Sequence, residues 1–552
     1  MYDAFESTHR EGETTVIRST MQRVPLSIHS FLDRAGKLFP EVEIVSRLPD
    51  KSLKRTTFGD FHRRARKLGA ALLAAGLKKG DRVATLSWNH HAHLECYFGI
   101  PAAGGVMHTL NLRLAPDEIG WIATHAKDRF LIVDDVLLPL YEQFRAKASF
   151  EKVIVVPFSG AKVPAGFTDY EAFLQGAPDR FDYVPHEEDD PIAMCYTSGT
   201  TGRPKGVVYS HRSTVIHTLM ANQPDAWGLK AGDSVCPVTP MFHANCWGVP
   251  YGCVMAGVKL VFPGPHLHPA DLLDLFNAER PNFVLGVPTI WLAMRQLLES
   301  DPAKYRIPRG IRMLVGGAAV PEALIRAFDA LGCEIRQGWG MTETSPVASI
   351  AFIKPELQAG ITDDEKFRRY ATAGVPVPVM DVRIMDDLGA EKPWDGKSVG
   401  ELQVKGNFIT GGYHEVPTDP DKFTADGWLR TGDVASIDPH GYIRITDRTK
   451  DLIKSGGEWI SSVDMENLLM AHPAVLEAAV IAIPDPKWSE RPLACVVFKP
   501  GQSASADEIR AHLAPHFAKW QLPERVEVID AIPRTSTGKF WKVKLRERYA
   551  QG

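Results

Sequence analysis

The chain has 552 residues, of which 44% are hydrophobic and 24% charged. At ~100–200 residues per domain that is material for roughly three to four domains with buried cores, and it excludes collagen-like and wholly disordered chains. Its 63 lysines and arginines against 67 aspartates and glutamates leave a net charge of −4. A balance so near zero, without long runs of like charge, argues against a nucleic-acid-binding protein.

The N-terminus starts acidic (Met1-Tyr-Asp-Ala-Phe-Glu) and has no apolar run, so no signal peptide is read there. Phe61 to Leu77 has the spacing of an amphipathic helix ending near glycine, and Asp81–Leu86 that of a short strand. The alternation returns at Phe130–Val133, at Asn282–Val287 and at Arg312–Gly317, the last followed by a helix over Pro321–Phe328. Short apolar strands between helices imply mainly parallel sheets covered by helices. The uncharged stretch Ser234–Val258 contains Pro237, Pro240, Pro250, His243 and Asn245, so it reads as a buried wall or tunnel lining and not as a membrane span. From about Val377 the texture changes. Val382–Met385, Gly400–Gly406 and Tyr442–Thr446 alternate between turn residues, which predicts an antiparallel β region. Beyond a boundary at Asp447–Lys450, a helix over Val463–Met470, a strand over Ala478–Ile483 and capping-box spacing at Ser505–Glu508 describe a small α+β unit. The seven cysteines (96, 195, 236, 246, 253, 333, 495) are scattered, odd in number and never spaced C-x-x-C. They fit reduced thiols in a cytoplasmic protein better than disulfides or a zinc site.

The most informative segment is Tyr196-Thr-Ser-Gly-Thr-Thr-Gly-Arg-Pro-Lys-Gly-Val207. Gly199, Gly202 and Gly206 let backbone N–H groups approach an anion; Thr197, Ser198, Thr200 and Thr201 add hydroxyls, and Lys205 a positive charge. Such a loop suits a triphosphate or departing pyrophosphate. It is not a Walker A loop, because Lys205 is followed by Gly206 and preceded by Pro204.

Thr197–Val207 resembles the phosphate loop of the adenylate-forming superfamily, which contains acyl-CoA synthetases, luciferases and peptide-synthetase adenylation domains. Four further elements resemble that superfamily in order: Gln337-Gly-Trp-Gly-Met-Thr-Glu-Thr344, Thr431-Gly-Asp433, Asp447-Arg-Thr-Lys-Asp451 and Pro533-Arg-Thr-Ser-Thr-Gly-Lys539. Thr537 and Lys450 depart from the commonest residues at their positions. Met241–Trp247, Lys454–Ser462, Pro486–Pro492 and Phe517–Pro523 resemble bacterial medium- and long-chain fatty acyl-CoA synthetases more closely.

The resemblance implies an α/β fold. A large N-terminal domain (1–446) holds helix-covered, mainly parallel sheets and a distorted antiparallel region; a hinge (447–451) leads to a small mobile C-terminal α+β domain (452–552). The implied activity is ATP-dependent fatty acid–CoA ligation through an acyl-adenylate, with Mg²⁺ as cofactor and ATP, CoA and a fatty acid as substrates. A homodimer is implied, with no nucleic acid and no transmembrane segment. Lys539, His243 and Thr342 would be catalytic. The phosphate loop (Thr197, Ser198, Gly199, Thr200, Thr201, Gly202, Lys205) would hold the nucleotide with Gly317, Gln337, Gly338, Trp339, Thr342, Glu343, Asp433, Arg448, Lys450 and Lys454. Thr197 and Glu343 would hold the metal. Trp247 would gate the acyl tunnel, and Gly456, Gly457, Glu458 and Trp459 would meet CoA after rotation about Lys450. Alternatives are a ligase for a short thioether acid such as methylthiopropionate, or for an aromatic acid. From other classes come an adenylation domain loading a carrier protein, disfavoured because the chain ends at Gly552 without a carrier segment, and a luciferase-like oxygenase. Two further signals are declined. Gly396-Lys-Ser-Val-Gly400 matches G-x-S-x-G but sits in a charged turn leading into a strand. His90, His91, His93 and Glu95 lack the H-E-x-x-H spacing of a metal site and read as packing.

Overall fold

A computed structural model describes residues 19–178, 181–197, 203–448, 451–455, 458–535 and 538–549, with the backbone alone for Glu458 and Trp459. Two large sheets carry most of it. The nine-stranded sheet runs, in spatial order, Val375–Pro376, Val347–Ile350, Glu334–Gly340, Arg312–Gly316, Phe283–Gly286, Ser234–Pro237, Lys259–Phe262, Glu43–Arg47 and Leu53–Thr57. Its centre is parallel and its edges are antiparallel. The seven-stranded sheet is parallel except where Pro191–Tyr196 pairs with Gly206–Ser210. Helices cover both sheets, as apolar strands between helices require. The helix read from Phe61 begins at Phe58, because the Thr57 side chain accepts the Asp60 N–H and caps it.

The antiparallel region forms a four-stranded sheet: Met380–Met385, Gly400–Gly406, Leu429–Ile437 and Ile443–Arg448. Its last strand runs further than the alternation suggested. Asp447 and Arg448 still pair with Val434 and Asp433, so two residues of the expected hinge are strand. After Asp451 the remaining strands join a separate sheet, whose two apolar clusters draw on residues from Ile453 onward.

Several bonds fix this terminal unit against the four-stranded sheet. Asp447 Oδ2 accepts the Ser462 N–H at 2.8 Å. The Ser461 hydroxyl donates to the Thr446 carbonyl at 2.7 Å while accepting the Asp464 N–H, the cap of helix Ser462–Ala471. Behind them, Lys542 pairs with the buried Glu466 at 2.7 Å, and Arg546 with Asp451 at 2.6 Å.

The uncharged stretch Ser234–Val258 supplies a strand, a turn and the buried helix Val249–Ala256. Among the described residues, no helix is long and apolar enough to cross a membrane.

Candidate active site

The carboxyl ends of Arg312–Gly316 and Glu334–Gly340 open into a cavity of about 490 Å³. Clefts at the carboxyl ends of strands are where open α/β sheets bind ligands. Small residues make this wall. A Cβ on Gly340 would lie 1.9 Å from the Pro346 carbonyl oxygen, so only glycine fits there. Gly317 has φ +84°, and a Cβ there would sit 3.6 Å from Lys539 Cε and 3.9 Å from the Trp247 ring. Gly317 is thus the floor over which two predicted site residues meet. Gly338 lies beside it on the wall.

One half of the cavity is polar. Thr197 is fixed to Lys205 by its N–H to the Lys205 carbonyl (2.9 Å) and by its hydroxyl accepting the Lys205 N–H (3.1 Å). The Lys205 ammonium lies 4.9 Å from the centre of the Tyr413 ring and 4.0 Å from Asp419. Ser198, Gly199, Thr200, Thr201 and Gly202 lie outside the described residues. The single turn Thr342–Thr344 projects Thr342 and Glu343 into the cavity. Glu343 Oε1 accepts the Tyr413 hydroxyl at 2.7 Å, and the Thr342 carbonyl accepts that of Tyr209 at 2.8 Å. Asp433 is buried beside the wall, its oxygens held by the Trp339 indole N–H (2.8 Å) and Arg448 Nε (3.0 Å). That aligns a carboxylate edge next to Trp339, an arrangement suited to a ribose beneath a purine.

The other half is apolar, lined by Phe242, Ala244, Trp247, Val287, Leu314 and Val347. Trp247 stands on a left-handed turn in which Ala244, Asn245, Cys246 and Trp247 have φ between 44° and 56°. Left-handed backbone costs an L-residue roughly 1–2 kcal/mol, so the surroundings must impose it. They do so by burial and by hydrogen bonds: Cys246 Sγ donates to the Thr239 carbonyl at 3.0 Å, and Cys195 Sγ to Asn245 Oδ1 at 3.3 Å. His243 and Lys539 stand where the halves meet. Burial, then the neighbouring Lys539 and Arg113, push the His243 pKa down to about 3, so its ring is neutral. Burial, then Arg448, push Lys539 down to about 8, against the pull of Asp433 and Glu343. Lys539 reaches the cavity on a tight turn closed by Thr535 N–H to the Lys539 carbonyl (2.8 Å) and docked against Val287 and Thr289.

Not every expected residue is on the wall. Gln337 is off the wall, its side-chain oxygen accepting the Val320 N–H at 2.7 Å and tying the strand to the turn before helix Glu322–Ala330. Lys454 lies on the strand Ile453–Ser455, its N–H donating to Glu490 and its side chain off the cavity wall. Lys450, Gly456 and Gly457 are outside the described residues, and of Glu458 and Trp459 only the strand Glu458–Ile460 is described. Conversely, Tyr413, Asp419 and Lys422 line the cavity without having been singled out. Their signal is weak: a tyrosine after Gly411-Gly412, within a loop before Thr431-Gly432-Asp433.

The declined signals have local partners. His90 bonds Asp134 (2.9 Å), His91 Ser46 (3.2 Å) and His93 Thr85 (3.0 Å), while Glu95 pairs with Arg64 (2.7 Å). The Ser398 hydroxyl donates to Asp395 (2.9 Å) within a turn.

Residues 32–414 match the AMP-binding enzyme family, and residues 464–539 match the AMP-binding enzyme C-terminal domain. A long-chain-fatty-acid–CoA ligase of Thermus thermophilus is 48% identical over 542 residues, 98% of each chain. A 3-methylmercaptopropionyl-CoA ligase of Ruegeria lacuscaerulensis is 40% identical over 535 residues, 96% of this chain and 98% of its own. Among solved structures, the anthranilate CoA ligase AuaEII in complex with anthranoyl-AMP superposes with a TM-score of 0.85 at 25% identity, covering 96% of this chain and 98% of its own.

Proposed function

This chain belongs to the AMP-binding enzyme family and is an AMP-forming acid–CoA ligase, and from that premise we propose that it activates medium- to long-chain fatty acids. The observation that carries this reading is the meeting of Lys539, neutral His243 and Trp247 between an apolar pocket and a cation-lined one. A fatty chain would be drawn into the apolar half by ~0.8 kcal/mol per buried CH₂. A carboxylate is a poor electrophile, and joining it to AMP supplies a leaving group. In that first step the carboxylate oxygen attacks the α-phosphorus of ATP and pyrophosphate leaves. Two anions approach each other, so cations held in place lower the barrier. Lys539 would bridge them, and Lys205 and the phosphate loop would receive the pyrophosphate. His243, being neutral, would donate to the carboxylate without adding charge.

Glu343 and Thr197 would hold Mg²⁺. One buried carboxylate with its orientation fixed by Tyr413, next to a phosphate loop, matches an ion that prefers few protein oxygens plus phosphates and water. The ion would neutralise phosphate charge. In the second step the terminal domain (452–552) would turn about the 447–451 segment, withdrawing Lys539 and bringing residues 456–459 to the thiol. A cytoplasmic homodimer belongs to the same reading.

A panel of carboxylic acids scored by CoA-dependent AMP release tests the proposal; fatty acids should lead it. A short thioether acid is the second reading, favoured by the methylmercaptopropionyl relative. Trp247→Ala separates the two: it should shift the preferred chain length with ATP binding intact, and an unchanged acid profile overturns the gate.

A further inference from the structure

Lys422 lies in the loop between the strands Gly400–Gly406 and Leu429–Ile437. Its backbone is fixed at both ends: its N–H donates to the Asp419 carbonyl and its carbonyl accepts the Arg430 N–H, both at 2.9 Å. The side chain enters the cavity, half-buried, on the side of Glu343 and Arg448. Among the described residues no carboxylate oxygen comes within 4.0 Å of its ammonium, whereas Arg448 is already committed to Asp433 at 3.0 Å and Lys205 faces Asp419. Burial, then Arg448, lower its pKa against the pull of Glu343, Asp433 and Glu401. A partly desolvated cation without a contacting anion is preorganised for one that arrives with a ligand.

The position specifies that anion. Asp433 marks the ribose and Glu343 the metal, so the phosphoryl group between them is the α-phosphate, the one retained in the adenylate. We propose that Lys422 is a catalytic residue that holds the phosphoryl oxygens of the adenylate through both half-reactions and is its resident cation once Lys539 has withdrawn. The inference rests on the two-geometry reading above, since only a departing Lys539 leaves this task open. In thioester formation the sulfur of CoA bonds to the acyl carbon, and the thiol proton goes to solvent. The bond from that carbon to the bridging phosphate oxygen breaks, its electron pair staying on oxygen. AMP therefore leaves with one more negative charge than it had in the adenylate, and that charge develops where Lys422 points. Lys539 travels with the terminal domain; Lys422 is pinned to Arg430, the strand residue before Thr431, and does not.

The test compares wild type, Lys422→Met, Lys422→Arg and Lys539→Ala. Three quantities are read: AMP affinity by calorimetry, the rate of pyrophosphate exchange into ATP, and the rate of thioester formation from pre-made acyl-AMP. Methionine keeps the apolar stem, and melting temperatures within a few degrees show that the variants fold. Lys422→Met should weaken AMP about tenfold or more and slow both half-reactions, with Lys422→Arg recovering most of the loss. Lys539→Ala should slow only adenylate formation. AMP affinity within twofold of wild type in Lys422→Met, or an unchanged thioester step, overturns the assignment. If Lys539→Ala slows both steps equally, the two-geometry reading falls while AMP affinity still decides whether Lys422 meets the phosphate. Wild type that exchanges no pyrophosphate with any acid removes the fatty-acid reading itself.

Discussion

The wall of the site and the lysine that completes it are built in opposite ways. Gly316 and Gly338–Gly340 belong to neighbouring strands of a nine-stranded sheet, in register at Gly316 and Gly338 and locked by a glycine that tolerates no Cβ, with Gly317 and Thr342–Glu343 just beyond the strand ends. Lys539 stands on a turn of another unit, whose Gly538 only grazes Val287 and Thr289, at 3.5 Å from where a Cβ would be. It is kept there by a few polar bonds at Asp447, Ser461 and Ser462. Sheet register makes a surface that is permanent. A short polar seam makes one that can be released, since a typical hydrogen bond contributes about 1 kcal/mol net. On the proposed function, the groups used in both steps, Lys422 apart, would sit on the former, and the group used in one would sit on the latter.

The largest expected effect removes the delivered group. In Lys539→Ala, pyrophosphate exchange should fall on the order of 10²–10⁴-fold, ~3–5 kcal/mol, as expected for one preorganised cation. Thioester formation from pre-made acyl-AMP should persist. Equal losses in both assays break the comparison, because the lysine would then serve a single geometry.

Next in size is a dependence on pH. Lys539 titrates near pH 8, pushed below its ordinary value of 10.5. Its cation is present below that value and is lost as pH rises through it. Adenylate formation by the free enzyme, followed as kcat/KM, should therefore fall toward tenfold per pH unit above about pH 8. The thioester step should lack this limb, and Lys539→Arg should move it out of range. A bound phosphate raises the lysine's pKa again, so kcat should fall later than kcat/KM.

Much of the wall was legible in the sequence, because the motifs that bind phosphate are local. Thr197 and Lys205 follow from residue types at short spacing, and Thr342, Glu343 and the Thr431–Asp433 segment from the family resemblance; all but Asp433, which sits just behind Arg448, line the cavity directly. What the sequence hid depends on partners distant along the chain. Tyr413 orients Glu343 across 70 positions, and Trp339 aligns Asp433 across 94. Gln337 has the look of a base-contacting residue, yet its amide oxygen accepts from Val320. No local pattern announces that Ala244–Trp247 turns left-handed, since that strain is imposed by the packing around it.

The polar seam allows a subtler test. Ser461→Ala removes both the bond to the Thr446 carbonyl and the cap of helix Ser462–Ala471. The loss is about 1–2 kcal/mol in total. The part that falls on the seam should lower pyrophosphate exchange severalfold relative to the thioester step, in paired half-reaction assays. Ser461→Thr keeps a hydroxyl for both bonds and should stay near wild type. A thioester step that suffers more than exchange would mean that the seam does not favour the geometry in which Lys539 is inserted.

The smallest effect should touch stability and leave the chemistry alone. Val379 turns the chain into the strand Met380–Met385 with φ +59°, and its side chain is 49% exposed. A β-branched residue pays for left-handed backbone with roughly 1–2 kcal/mol, and here little packing compensates it. Glycine would remove that strain but widen the unfolded ensemble by ~0.5–1 kcal/mol. The difference leaves Val379→Gly about 0.5–1 kcal/mol more stable, an increase of ~1–2 °C in melting temperature for a domain this large. Because the turn belongs to the four-stranded sheet and touches neither the wall nor the seam, the ratio of the two half-reaction rates should not move. A lower melting temperature would show that the valine is held by contacts worth more than its strain; a changed ratio would show that the sheet's rigidity reaches the seam through the strand Ile443–Arg448, and that wall and delivered lysine are less separate than their construction implies.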